Sequence, residues 1–172
     1  MTRVRWARDG DAKGVQPLFE ASMVSEGLPM NLAAFRRTWR HAFGPKSTFR
    51  FVVAVDASRA VVGCCTVHTH YSTYRGQPVV EVEDVYVVEP RRGRGIGAKL
   101  LGFCEKYAES IKAARTELHV RQGNRAARLY LRQGYEPVDY EWMQKPLRTL
   151  MAASGSGGRA GRGVRHRNKE RA

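Results

Sequence analysis

Apolar residues recur along this chain at two spacings and switch between them several times. Alternation marks strands, and a period near 3.6 marks helices. Residues 2–7 alternate and predict a first strand. Asp9 or Asp11 can cap a helix running to about Glu26. Leu32, Phe35, Trp39 and Phe43 fall at helical spacing and predict a second helix over 31–43. Residues 48–56 and 60–69 read as two strands around a short turn, 71–78 as a loop, and 79–88 as the next strand. After a glycine-rich turn, Ile96, Leu100, Leu101, Cys104, Ala108 and Ile111 share one helix face that must pack on a sheet. A strand over 115–120, a helix over 124–132 stopped by Gly134, and a strand pair over 135–138 and 140–144 complete the pattern. The order β-α-α-β-β-β-α-β-α-β-β predicts an α/β (α+β) fold: a mixed, mostly antiparallel central sheet with helices on both faces.

The strand over 79–88 changes phase within itself. Val80 and Val82 share one face. Val85 and Val87 join that face only if one residue is inserted between the pairs, because a strand has period two. Either a β-bulge lies at Glu83-Asp84, or the strand is buried on both faces with no slip. A bulge there would free backbone groups and re-aim side chains shortly before the glycine turn. A carboxylate beside an apolar cleft can have a raised pKa and act as a general base; a solvent-facing or salt-bridged pair is the alternative.

The turn itself is Arg92-Gly93-Arg94-Gly95-Ile96-Gly97, set between that strand and the helix. A glycine-rich turn opening a helix offers unpaired amides to an anion, and the arginines add charge, so the turn suits a pyrophosphate. A Walker A loop is excluded, because Lys99 lacks the required neighbours. Gly93 to Ala98 fits the relaxed dinucleotide pattern G-x-G-x-x-A, with Glu117 about 20 residues on. Against it stand the antiparallel strands before the turn and the short chain after it.

Composition adds three limits. The 172 residues, 42% of them hydrophobic, fit one globular domain. No run of about 18 apolar residues exists, so no transmembrane helix is expected, and the start lacks the apolar centre of a secretory signal. Cys64, Cys65 and Cys104 are odd in number and without framework spacing. They predict small buried thiols, reduced in a cytoplasm, with no metal role. The net charge of +14 is partly concentrated in residues 154–172, which hold six Lys/Arg and one Glu with no apolar period. The expected organisation is a domain over 1–150 and a disordered Gly/Ser/Arg-rich tail over 151–172. Such a tail binds nucleic acid or acidic surfaces non-specifically.

The run from Val85 through Arg92, Gly95, Gly97 and Ala98 resembles the acetyl-CoA-binding motif of the GNAT N-acetyltransferases, whose hallmark Arg/Gln-x-x-Gly-x-Gly/Ala follows a strand. The element order over about 1–147 resembles that family too, as does Leu129-Tyr130-Leu131-Arg132-Gln133-Gly134-Tyr135. The resemblance implies acetyl-CoA as cosubstrate and no metal. It implies that the backbone of Val85, Tyr86 and Val87 holds the pantetheine arm. Arg92, Gly93, Arg94, Gly95, Ile96, Gly97 and Ala98 would hold the pyrophosphate. Tyr130 would protonate the leaving thiolate. The family's asparagine stands seven residues before that tyrosine. Here Gly123 occupies the place, and Asn124 either reaches the cofactor arm or caps its helix. Tyr71 to Pro78 followed by Glu83-Asp84 is most similar to the diamine and polyamine acetyltransferases, which makes Glu83 the first candidate base and Asp84 the second. Glu20, Glu26, Glu81, Glu83 and Asp84 could supply an acidic cleft.

The expected activity is therefore direct transfer of acetyl to a primary amine in a ternary complex, with a small amine or polyamine as acceptor. A protein lysine or N-terminal acetyltransferase, or a non-catalytic CoA-binding module with a nucleic-acid-binding tail, are the alternatives. A cytoplasmic location without membrane partners follows from composition, and a homodimer is left open.

Overall fold

Each strand segment sends alternate side chains to two faces, and both faces here are apolar, so both must be covered. The computed structural model describes residues 1–28, 31–139 and 141–145. Five strands form one sheet in chain order: β1 (Arg3–Trp6), β2 (Phe49–Val55), β3 (Val61–Ser72), β4 (Gln77–Val87) and β5 (Arg115–Glu117). The first four run antiparallel to their neighbours, and β5 lies parallel to β4. Four helices cover them: α1 (Ala12–Ser25), α2 (Leu32–Ala42), α3 (Ile96–Ser110) and α4 (Ala127–Arg132). From β1 to α4 this is the order that the hydrophobic pattern predicts.

On one face Val52, Ala54, Val62, Cys65, Val67, Val80 and Val82 pack with Ile96, Leu100, Leu101, Cys104 and Ala108 of α3. On the other, Phe51, Val53 and Cys64 pack with Val15, Leu18, Phe35 and Trp39 of α1 and α2. Burying one such large apolar side chain contributes roughly 1.5–3 kcal/mol, so α3 is held chiefly by its apolar stripe. Cys64 and Cys65 point to opposite faces, and all three cysteines are free and buried. Burial pushes the Cys64 thiol up to about 12, which leaves it unreactive.

Helix starts follow local chemistry. Asn31 caps α2, its Oδ1 accepting the Ala34 amide at 3.0 Å. Neither Asp9 nor Asp11 caps α1 through its side chain, contrary to expectation. Asp11 instead takes Arg5 at 2.7 and 2.9 Å and the Arg8 amide at 2.7 Å. Asp9 accepts the Trp39 indole at 3.1 Å.

Residues 1–136 make one compact unit, and the described residues from 137 onward are assigned to a second. In the second, residues 137–139 and 141–145 are exposed and carry no regular secondary structure. The strand pair expected over 135–138 and 140–144 is therefore not formed among the described residues. Pro137 has no amide to give a ladder and Asp139 disfavours one. The domain boundary expected at 150 and the basic tail lie outside the described residues. No described helix is long and apolar enough to cross a membrane.

Candidate active site

The phase slip in β4 is a bulge. Thr66 pairs with Glu83 and Cys64 with Tyr86, so two steps on β3 face three on β4. Asp84 takes up the extra residue with φ +52°, a left-handed conformation uncommon outside glycine, asparagine and aspartate. As a result Val80, Val82, Val85 and Val87 all pack in the α3 cluster, while Tyr86 joins the opposite one.

Beyond Glu81 the strand edge is open. β5 pairs only with Val79, Val80 and Glu81. The remaining residues of β4, up to Val87, have no strand on that side among the described residues. That is roughly 20 Å of free edge at about 3.3 Å per residue.

The chain then turns through Glu89–Arg91 and enters α3 at Ile96. Arg92 Nε donates to the Val87 carbonyl at 2.9 Å, and its guanidinium lies 5.1 Å from the Tyr86 ring centre. Arg91 pairs with Asp56 at 2.8 Å. These two arginines fasten the turn to the sheet. Gly93 and Gly95 have φ +73° and +74°, which side chains resist. The first helical bond runs from the Lys99 amide to the Gly95 carbonyl. The amides of Gly93 to Ala98 therefore have no protein acceptor among the described residues, and they cluster at a helix start. Gly97 has a different reason to be glycine: a Cβ there would stand 2.7 Å from Leu129 Cδ2 of α4. The Ile96 side chain is buried in the core, so only its backbone faces the turn.

α4 brings Tyr130 into the α3-side cluster together with Val85, Val87 and Cys65. Burial pushes its phenol up to about 12, aided by Cys65, Tyr135 and Glu26, so it keeps its proton at neutral pH. Asn124 folds onto its own turn, its Oδ1 accepting the Ala126 amide at 2.9 Å. Its Nδ2 donates to Glu26 at 3.4 Å. Glu26 also pairs with Arg121 at 3.1 Å.

The two carboxylates at the slip have opposite surroundings. Glu83 takes a 2.9 Å contact from His68 Nε2, and this hydrogen bond holds its carboxyl below the usual range and raises His68. Asp84 is largely buried. Burial first, and Glu83 second, raise its carboxyl, against a weak 3.4 Å bond from the Thr66 hydroxyl. Glu81 pairs with His119 at 3.0 Å.

Tyr71 and Tyr74 are exposed at the β3–β4 hairpin end. Asp84 lies seven positions along β4 from Gln77, roughly 23 Å of strand, so within one chain this loop does not reach the bulge. His68 and the Glu26 link to 121–124 were not read from the sequence. His68 was findable, because Thr66, His68 and His70 alternate opposite Glu81 and Glu83. Glu26 was not, since it meets Asn124 across 98 residues.

The model of the acetyltransferase (GNAT) family matches residues 16–135. The aminoalkylphosphonate N-acetyltransferase of Salmonella typhimurium is 35% identical over 83 residues, 48% of this chain and 54% of the relative. The match thus spans about half of that relative's length. The thialysine N-epsilon-acetyltransferase of Mus musculus is 28% identical over 137 residues, 73% of this chain and 78% of the relative. A crystal structure of a probable acetyltransferase superposes with a TM-score of 0.76 at 19% identity, covering 84% of this chain and 97% of that one. That last likeness concerns the fold alone.

Proposed function

This chain belongs to the acetyltransferase (GNAT) family, and from that premise we propose that it moves acetyl from acetyl-CoA to a primary amine, small amines and polyamines being the favoured acceptors. One observation carries the reading: a run of amides without protein acceptors among the described residues, from Gly93 to Ala98, beside the open edge of β4. Convergent free amides at a helix start suit a pyrophosphate, and a free strand edge suits an amide-bearing arm. Gly93 to Ala98 would hold the first, and the backbone of Val85 and Val87 the second. Tyr86 and Arg92 keep strand and turn in register. Asn124 serves its own turn. Acetyl-CoA, when bound there, supplies the acetyl thioester.

The rest of the chemistry belongs to side chains of this chain. Alkylamines are mostly protonated at neutral pH, with pKa ~10.4, so a proton must leave before the nitrogen can attack. Two carboxylates with pKa values pushed apart divide the labour. Asp84, raised by burial, is the better proton acceptor. Glu83, kept ionised by His68, is the anionic anchor for a cationic acceptor. This reverses the ranking that the motif resemblance gives. Tyr130 holds its proton and can donate it toward a developing thiolate. Glu81, Glu83 and Asp84 place three carboxyl groups within four consecutive positions of β4 in a +14 chain. The two relatives named above carry N-acetyltransferase or N-epsilon-acetyltransferase in their names, which supports an amine acceptor.

Steady-state kinetics with a panel of amines and thiol detection test this. Asp84→Asn should lower kcat roughly 10²-fold, the usual size of a general-base effect, and flatten the acid limb of the pH profile. Glu83→Gln should raise KM for cationic acceptors more than it lowers kcat. Tyr130→Phe should lower kcat with acetyl-CoA affinity retained. Wild-type kcat in Asp84→Asn with a large loss in Glu83→Gln restores Glu83 as the base.

A further inference from the structure

The outer face of α2 is cationic and uncompensated. Arg36, Arg37, Arg40, His41 and Lys46 are all exposed on this helix and the turn after it. Residues 32–50 contain no Asp or Glu. Among the described residues, Arg36, Arg37, Arg40 and Lys46 form no ion pair. Among the described residues, Arg40 Nε donates to the backbone carbonyl of Arg36 at 3.4 Å. Arg37, Arg40, His41 and Lys46, with Gly44 and Pro45, line an open groove of ≈ 490 Å³. Phe43 lies between lining residues in sequence. It is 43% exposed, and its ring is braced 5.1 Å from that of buried Trp39.

Like charges gathered without counter-charge repel one another, so the arrangement is favourable chiefly toward an anion. Guanidinium groups dominate it, and their planar fork matches phosphate oxygens two at a time. Arg36 and Arg40 follow one another on one side of the helix, which lays out charge along a line rather than around a point. Phe43 directly follows that helix and is half-exposed, and such a ring offers a face to an unpaired base, which an acidic peptide does not use.

We propose that the α2 groove binds single-stranded nucleic acid, Arg36, Arg37, Arg40 and Lys46 following the phosphodiester backbone and Phe43 stacking on a base. None of these residues is among those proposed for acetyl transfer. The site lies on the same side of the sheet as Glu83: the His41 ring is 5.6 Å from Phe49, and Phe49 stacks on His68 at 5.1 Å. The groove reads charge and stacking, so it takes many sequences.

Fluorescence anisotropy with labelled oligo(U) and oligo(dT) of about twelve nucleotides, titrated between roughly 50 and 200 mM salt, tests the proposal. The full chain is used throughout, so the basic C-terminal segment is common to all variants and the difference reads α2. The triple variant Arg36→Gln, Arg37→Gln, Arg40→Gln should lose at least about tenfold in affinity. Its salt slope should fall by about two, from three lost contacts at about 0.7 each. Small-amine turnover and Tm should stay at wild-type values. Phe43→Leu keeps apolar packing on Trp39 but removes the aromatic face, and should cost about fivefold or more. Unchanged affinity and slope in the triple variant overturn the site. Unchanged affinity in Phe43→Leu overturns the single-strand reading, as does a polyglutamate peptide of equal charge binding as tightly as oligo(U).

Discussion

Asp84 combines two costs in one residue: a left-handed backbone and a buried carboxyl group. A carboxyl that titrates higher in the folded than in the unfolded chain binds protons more tightly when folded. Its contribution to stability is complete below the unfolded pKa, near ~3.9, and is lost as pH rises through the folded value. Ionised Asp84 therefore weakens the fold at neutral pH. Asp84→Asn should raise Tm at pH 7 while slowing the enzyme. The gain should shrink as pH falls, leaving only the small pH-independent advantage of asparagine at positive φ. Thermal unfolding of both proteins between pH 4 and 8 checks this, and a lower Tm at pH 7 contradicts it. Such an exchange of stability for activity is expected where a strained residue does chemistry. Glu83, lowered, shows the opposite linkage, and His68, raised, follows the same direction as Asp84. The Glu83 part is lost as pH falls through its lowered pKa, and the His68 part as pH rises through its raised one. Their ion pair supports the fold between those limits.

At the scale of elements, the glycine turn and α4 are coupled through α3. Gly95 is fixed by backbone conformation, and Gly97 by the approach of Leu129. The two glycines should therefore fail differently. Gly95→Ala forces a side chain to φ +74° and should cost roughly 1–2 kcal/mol, with a clear loss of acetyl-CoA affinity. In Gly97→Ala the gain in helix propensity, about 1 kcal/mol, offsets the shift of the flexible Leu129 end. Tm and acetyl-CoA affinity should stay close to wild type. The turnover rate should drop, because Leu129 moves beside Tyr130. Calorimetry, thermal unfolding and steady-state rates on both variants separate the two roles. Equal losses of acetyl-CoA affinity would contradict the division. The motif alone treats both glycines as phosphate contacts, and the packing of α4 on α3 tells them apart.

For the molecule as a whole, every proposed catalytic and cofactor-holding residue lies within the compact unit 1–136. Residues 154–172 carry +5 of the +14 charge and no apolar period. Deleting them should leave Tm and small-amine turnover unchanged while weakening any salt-sensitive binding to polyanions. A truncated chain that unfolds or loses turnover would show that this segment belongs to the fold or site. Local pattern determined much of this protein by itself. The alternation in β1 to β4, the apolar stripe of α3, the slip between Val82 and Val85, and the glycine turn are all properties of near neighbours in the chain, which periodicity and turn chemistry report directly. The last strand pair is predicted but not formed among the described residues, because a short, half-polar run containing Pro137 alternates without supplying a ladder. What only the tertiary structure decided depends on residues far apart in sequence. Which carboxylate is raised and which lowered is set by His68 and by burial. The open edge of β4 exists because β5 stops at Glu117. Glu26 reaches 121–124 only because α1 ends beside the entry to α4. Desolvation and long-range pairing are properties of the assembled sheet and helices, and no window of sequence contains them.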